Sequence, residues 1–302
     1  MIKVFAIGIA VLDDIFVLHE PLVPGVKHRT PELKSVLGGN AANAAMAVAH
    51  LGGKASLIAR LGQDFAEGTI RALIREQGIE TDFVRAIPGR RSSRSSIILE
   101  PGGERTVINF ADPDMPDGSD WLPTTLPPDT GAVTGDTRWE SGSRRLFELA
   151  RKKGIPAIFD GDRQLIDASL LDLATHVGFS AQGLREMSGT EDLAEGLRRI
   201  AGRHTAFLAV TNGENGVYAL ENGQIRHYPA FPVKAVDTLG AGDVWHGALA
   251  YALGTKMPIE RAIPFASAAS AIKCTRIGGG AGAPSLAEVE TLLAGHGIIQ
   301  TS

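Results

Sequence analysis

Residues Asp237-Thr238-Leu239-Gly240-Ala241-Gly242-Asp243 stand immediately before a helical apolar pattern. Gly240, Ala241 and Gly242 are small enough for a tight turn, and a turn that opens a helix leaves consecutive backbone N–H groups unpaired. Such a terminus attracts anions, phosphate among them. Asp243 falls in the first helical turn, where the helix dipole favours its ionised form. A carboxylate there repels a bound anion unless it has a task of its own, such as accepting the proton of a hydroxyl that attacks the phosphate beside it. Read alone, the same residues also fit a capping aspartate after a flexible turn.

Outward from this segment, short runs rich in Ile, Val and Phe alternate with longer helical patterns over most of the 302 residues. Strands are predicted at 2–8, 55–61, 132–135, 155–160, 177–180 and 206–211, and helices at 40–51, 65–76, 141–153, 191–201, 242–253, 259–273 and 286–294. This alternation predicts an α/β fold with a doubly wound, mostly parallel sheet flanked by helices. Two stretches, 15–37 and 92–110, break it. The second reads as a hairpin, with Ser-Ser-Ile-Ile-Leu-Glu, a Pro-Gly-Gly turn and Arg-Thr-Val-Ile-Asn-Phe in succession. Together they predict a small β-sheet lid over the carboxyl ends of the core strands, projecting from one domain that spans 1–302. The Pro- and Asp-rich run 112–129 reads as the return connection.

Composition narrows the partners. Hydrophobic residues make up 44% and aromatics 6%, so the core is aliphatic, and disorder and collagen are excluded. The 36 glycines, about 12% of the chain, exceed the usual share. A net charge of −4 without a dense basic cluster argues against nucleic acid. Cys274 is the single cysteine, which excludes an intrachain disulfide and a cysteine metal cluster, and a reducing cytoplasm is expected. Neither a secretory signal pattern nor a membrane-length apolar run is present. His50, His176, His227 and His246 lack metal-ligand spacing and are expected to be structural or surface residues.

A second cluster, Gly38-Gly39-Asn40-Ala41-Ala42-Asn43, opens the helix predicted at 40–51. Small residues followed by amides suit close approach of a polyhydroxylated ligand. Helix capping by Asn40 with tight packing by the alanines is the other reading. No Gly-x-x-x-x-Gly-Lys-Ser/Thr exists, which excludes a P-loop kinase.

Gly38-Gly39 with Asn43, the 237–243 segment, and Asp13 after the first strand together resemble the PfkB, or ribokinase-like, carbohydrate kinase family, in the expected order and spacing over nearly the whole chain. The resemblance implies an ATP-dependent kinase with a ribokinase-like α/β domain and a small β lid that pairs in a homodimer. It assigns Asp243 as catalytic base and Ala241 and Gly242 as the backbone anion hole, with Gly240 also at the transferring phosphate. Asp13, Gly39 and Asn43 match sugar-binding positions, Thr211, Gly213 and Gly216 match the nucleotide loop, and Gly279 lies in a loop near the adenine. Asp237 matches a position associated with a monovalent cation such as K+, and Mg2+ is expected with ATP. Many members carry Asn-x-x-Glu, helping to organise magnesium and phosphate, where this chain has Ser180-Ala181-Gln182-Gly183.

The chain further resembles the sulfofructose kinase branch through Asn109, Asp136-Thr137-Arg138-Trp139, Phe159-Asp160-Gly161-Asp162 and Lys273-Cys274-Thr275-Arg276. There, positions matching Lys27, Asn109 and Arg138 hold the sulfonate of 6-deoxy-6-sulfofructose, phosphorylated at C1. Each residue also reads as an ordinary surface or turn residue, and fructose 6-phosphate, fructose and ribose remain alternatives. A non-catalytic sugar-binding protein of the same fold, or a nucleoside kinase, are the others.

Overall fold

The computed structural model describes residues 1–101 and 105–298. Chain order begins with β1 (Lys3–Gly8), then β2 (Val11–Val17), β3 (Glu32–Gly38), α1 (Asn40–His50), β4 (Lys54–Gly62), α2 (Phe65–Glu76) and β5 (Glu80–Ile87). There follow β6 (Ser93–Leu99), β7 (Arg105–Phe110), β8 (Thr130–Asp136), α3 (Glu140–Lys153), β9 (Ala157–Gly161), β10 (His176–Ser180) and α4 (Ala181–Ser188). After α5 (Leu193–Ala201) and β11 (Phe207–Thr211) come the hairpin strands β12 (Val217–Glu221) and β13 (Gln224–Tyr228). The last helices are α6 (Ala241–Gly254), α7 (Ile259–Cys274) and α8 (Leu286–Gly295).

Nine strands form the main sheet in the order β13-β12-β11-β10-β9-β8-β1-β4-β5, parallel except for the β11-β12-β13 meander. Side chains alternate across it. Val4 and Ala6 of β1 join the core beneath α1, α2, α6, α7 and α8, while Phe5 and Ile7 join the core beneath α3, α4 and α5. Burial on both faces explains why the central strands read as continuous apolar runs. From β1 the chain steps outward to β4 and β5 on one side, and from β8 to β11 on the other. The crevice at this switch lies outside the carboxyl ends of β1 and β8, the place where such sheets bind ligands. Asp136, at the end of β8, ties the two together by accepting hydrogen bonds from Ile9 N (3.0 Å) and Arg138 N (2.8 Å).

Three features were not expected from the sequence. Strand β5 is an edge strand whose only fully buried side chain is Val84, so no alternation marks it. The β12–β13 hairpin turns through Asn222 and Gly223, both at positive φ, the Asn-Gly signature of a tight hairpin. Helix α4 starts where Ser180 Oγ accepts a hydrogen bond from Gly183 N, and Gly183 is buried so tightly that a Cβ there would stand 2.0 Å from Gly161 O. A side chain does not fit at that position, the one where the resemblance expects a glutamate.

The second sheet has the order β3-β2-β6-β7. Its strand β2 begins at Val11, four residues before the expected lid segment. Two residues of the expected turn, Gly102 and Gly103, lie outside the described residues. Cross-strand partners share a face, so Asp13, Ser95 and Asn109 line one side of this sheet. On that side Ile15, Ile97 and Leu99 pack with Val17, Val36 and Leu239. The lid therefore rests on the 237–243 segment itself. Among the described residues no helix is long and apolar enough to cross a membrane.

Candidate active site

Helices α1 and α6 touch backbone to backbone. A Cβ added at Gly247 would stand 2.2 Å from Ala44 O, so only small residues allow this approach. One consequence is chemical: Asn43 of α1 reaches Asp243 of α6 and donates a 2.7 Å hydrogen bond from Nδ2 to Oδ2. Asn43 Oδ1 accepts from Gly280 N (3.0 Å), which holds the amide in this orientation. The carboxylate of Asp243 is thereby aimed by a side chain 200 residues away in sequence.

The N-cap of α6 is Gly240, at φ +72, and no side chain caps the helix. Asp243 is therefore not a capping aspartate. Ala241 N donates a 3.2 Å turn bond to Thr238 O, whereas the N–H groups of Gly242 and Asp243 have no acceptor among the described residues. Gly242 is exposed, with nothing within 4 Å of the place a Cβ would take. The free donors thus belong to Gly242 and Asp243 more than to Ala241, because the turn that makes the cap occupies the first amide.

Asn40 does not cap α1 either. Gly39 occupies the N-cap at φ +97, and a Cβ there would meet Ile9 O at 2.5 Å. Asn40 Nδ2 instead donates to Asp160 Oδ2 (3.1 Å) and Asp162 Oδ2 (3.4 Å) at the end of β9. Asp13 is buried on β2, and burial pushes its carboxyl up to about 6, while Ser95 hydrogen-bonds it and draws it down. Burial likewise raises the Asp243 carboxyl above the usual carboxylate range, although the Asn43 hydrogen bond and His246 pull it back. His246 is buried behind Asp243. Its Nδ1 lies 2.8 Å from Gly242 O and 3.7 Å from Asp160 Oδ1, and its Nε2 lies 3.0 Å from Gly178 O.

A pocket of about 710 Å³ opens beside the start of α6, where Ala241 and Gly242 line it. Thr211, Gly213 and Gly216 of the β11–β12 connection face Ala241 and Gly242 across it, with Phe231 on an apolar wall. Gly279, expected beside the adenine, is not part of this lining. It is buried against Asn43 Oδ1 and Leu239, because the 278–282 turn folds onto α1. Thr211 to Gly216 is also a connection between antiparallel strands, so the plain reading as a turn and the nucleotide reading describe one segment.

The three residues expected at an anion behave separately. Asn109 Nδ2 donates to Ser95 Oγ (3.1 Å) on the Asp13 face of the lid. Half-buried Arg138 donates to Asp162 Oδ2 at 2.6 Å. Lys27 is exposed on the β2–β3 connection and has no side-chain hydrogen bond or ion pair among the described residues. Asp237 is buried, and its carboxylate is surrounded: Oδ1 accepts from Leu239 N (2.8 Å), while Oδ2 accepts from Gly278 N (3.0 Å) and faces Lys273 Nζ (3.2 Å). Arg105 of β7 donates to Thr238 Oγ1 and stands 4.0 Å from Asp237 Oδ1. Sequence reading missed the site roles of Asn40, Ser95, Asp160, Asp162 and Lys273. The Asp160 to Asp162 segment and Lys273 gave a signal only through resemblance, and Asn40 only as one of the amides of the 38–43 cluster.

The sequence profile of the pfkB family carbohydrate kinases matches residues 1–286. A fructokinase of Klebsiella pneumoniae is 30% identical over 80% of this chain and 81% of its own. A ribokinase of Bacillus subtilis is 26% identical over 86% and 88%. Among solved structures, an Agrobacterium tumefaciens protein provisionally described as a ribokinase superposes with a TM-score of 0.92, at 32% identity over 99% of both chains. With a profile match across nearly its whole length, the chain belongs to the pfkB family of carbohydrate kinases.

Proposed function

We propose that the protein transfers the γ-phosphoryl group of ATP to a primary hydroxyl of a sugar bound among Asp13, Gly39, Asn43 and Asp243. The observation that carries this reading is the position of Asp243. One carboxylate, oriented by Asn43 and close enough to Asp13 to raise its carboxyl, directly follows Ala241 and Gly242, which line a pocket shared with Thr211, Gly213 and Gly216. In the proposed reaction the sugar hydroxyl gives its proton to Asp243 as its oxygen bonds to the γ-phosphorus, and the bond from that phosphorus to ADP breaks. The Gly242 and Asp243 N–H groups receive the charge of the transferring group. Magnesium supplies charge neutralisation on the phosphates. The ion would be held chiefly by the ATP phosphate oxygens, as magnesium commonly is at phosphoryl-transfer sites.

For the acceptor we propose an anionic hexulose, 6-deoxy-6-sulfofructose phosphorylated at C1, with Lys27, Asn109 and Arg138 around the sulfonate. The shared lid face of Asn109 and Asp13 supports a polar contact at the far end of the sugar. A second reading, a neutral hexulose such as fructose, is favoured by the Arg138–Asp162 pair, which already neutralises the guanidinium. ADP release on sulfofructose, fructose 6-phosphate, fructose and ribose, repeated with Arg138→Ala, separates them. If neutral sugars are best and Arg138→Ala is silent, the anion site is wrong. If no sugar releases ADP above background, the kinase reading itself fails and a sugar-binding role takes its place.

A further inference from the structure

Lys273, in the last turn of α7, has no solvent exposure at all. An ammonium keeps its charge in such a place only when oxygen partners replace its water. Here they do: Nζ donates to Asp237 O at 2.7 Å and lies 3.2 Å from Asp237 Oδ2. Burial draws the lysine below its ordinary range, and Asp237 opposes that shift. Burial would raise the Asp237 carboxyl, but the Leu239 N–H, the Lys273 ammonium and the Gly278 N–H together hold it below the usual carboxylate range. The pair is therefore an ion pair.

The backbone around it is equally enclosed. Val236 N and Asp237 N donate to Cys274 O, so the end of α7 is strapped to the start of the 237–243 segment. On the other side the 278–282 turn closes the space, with Gly282 3.7 Å, at its absent Cβ, from Lys273 Cε. Arg105 is the one further cation recorded against Asp237 among the described residues. The two oxygens facing the ammonium, one carboxylate and one backbone carbonyl, make a pair of the type that hard cations bind. Residue 273 already fills it, so a separate ion does not fit against Asp237.

We propose that the Lys273 ammonium is the built-in cation of this site: it balances Asp237, holds the 237–243 turn in register with the 278–282 turn, and makes the protein independent of added monovalent ions. The kinetic part rests on the kinase reading; the thermal part does not. The test compares potassium, sodium and choline chlorides at one ionic strength, so that general screening is equal. Melting temperature is read for the protein alone, and turnover with ATP, magnesium and the best sugar of the panel. Wild-type melting should coincide in the three salts, with rates agreeing within about twofold by the same equality of screening. Lys273→Met keeps the chain length and removes the charge, leaving Asp237 buried and uncompensated. Its turnover should fall at least about tenfold, as for a buried pair deprived of one partner, and potassium or ammonium should restore part of the rate and the melting temperature relative to choline. A potassium-specific rise in wild-type melting temperature, or several-fold potassium activation of the wild type, overturns the proposal. So does a Lys273→Met protein that is unchanged in both readouts. Should that variant not fold, the wild-type melting comparison still decides. Absence of ADP in every salt counts against the kinase reading alone.

Discussion

Asp243 and Asp13 are single residues whose carboxyls burial pushes above the ordinary aspartate range. Asp243→Asn should fold as the wild type does, because the amide can still meet Asn43, yet lose at least roughly 100-fold in kcat by the scale of general-base effects. Near-normal turnover would remove it from that role. Because burial holds the Asp243 carboxyl above the ordinary aspartate range, lowering the pH protonates the base sooner than usual. The acidic limb of kcat/KM should therefore lie above the pH at which a surface aspartate titrates, as a pH–rate profile will read. Asp13 gives a stability counterpart. Its carboxyl, about 6 when folded, starts from 3.8, so the folded state binds the extra proton between those values and stability falls as pH rises through them. Asp13→Asn should gain up to roughly 3 kcal/mol at neutral pH, a gain that vanishes below about pH 4, while activity falls. Paired urea titrations at the two pH values check this, and equal gains at both would contradict it.

At the scale of elements, two glycines of α6 make opposite predictions. Gly247 meets the α1 backbone, so Gly247→Ala must push the helices apart and should cost about 1–3 kcal/mol, the usual range for overpacking. Turnover should fall with it, because the same contact brings Asn43 to Asp243. Gly242 faces open space. Gly242→Ala should leave the melting temperature within a degree or so of wild type, since nothing in the protein is displaced, yet depress kcat if the proposed phosphoryl transfer takes place over this residue. Thermal melts and steady-state rates on the two variants distinguish a packing glycine from a ligand-facing one. A loss of stability in Gly242→Ala would count against the second assignment.

For the whole molecule, the lid is the element whose burial is incomplete. Its inner side packs on Leu239, but on the other side Phe16, Leu33 and Ile98 share one cross-strand row, and Ile108 lies on the same face. Leu33 and Ile108 are 56% and 62% exposed, too much apolar surface to leave in water without consequence on a four-stranded sheet. For this face we propose pairing with a second copy of the chain. Light scattering on the purified protein should give twice the chain mass, and Ile108→Lys should shift the population toward monomer. A monomeric wild type at micromolar concentration would rule the lid pairing out.

Much of this architecture was legible in the chain. Among the described residues, six of the nine main-sheet strands and seven of the eight α-helices fall where apolar periodicity puts them, because burial on both sheet faces writes continuous apolar strands and striped helices. Edge strand β5, short helix α4 and the β12–β13 hairpin bury too little to leave that mark. The site divides in the same way. Glycine turns before helices are local, so 38–39 and 240–242 announce themselves in the sequence. Which amide remains free, which side chain aims Asp243, and which charge balances Asp237 depend on α1, α7 and β9 arriving from distant parts of the chain. Asn40, read as a cap, was drawn to Asp160 and Asp162 instead, and Lys273, read only as part of a resemblance, became a fully buried ammonium. Sequence by itself determined the layers and the glycine turn that opens α6, since both arise from residues near one another along the chain. Tertiary structure alone decided the partners of the charged groups, because the energy of a buried charge depends on what surrounds it in space.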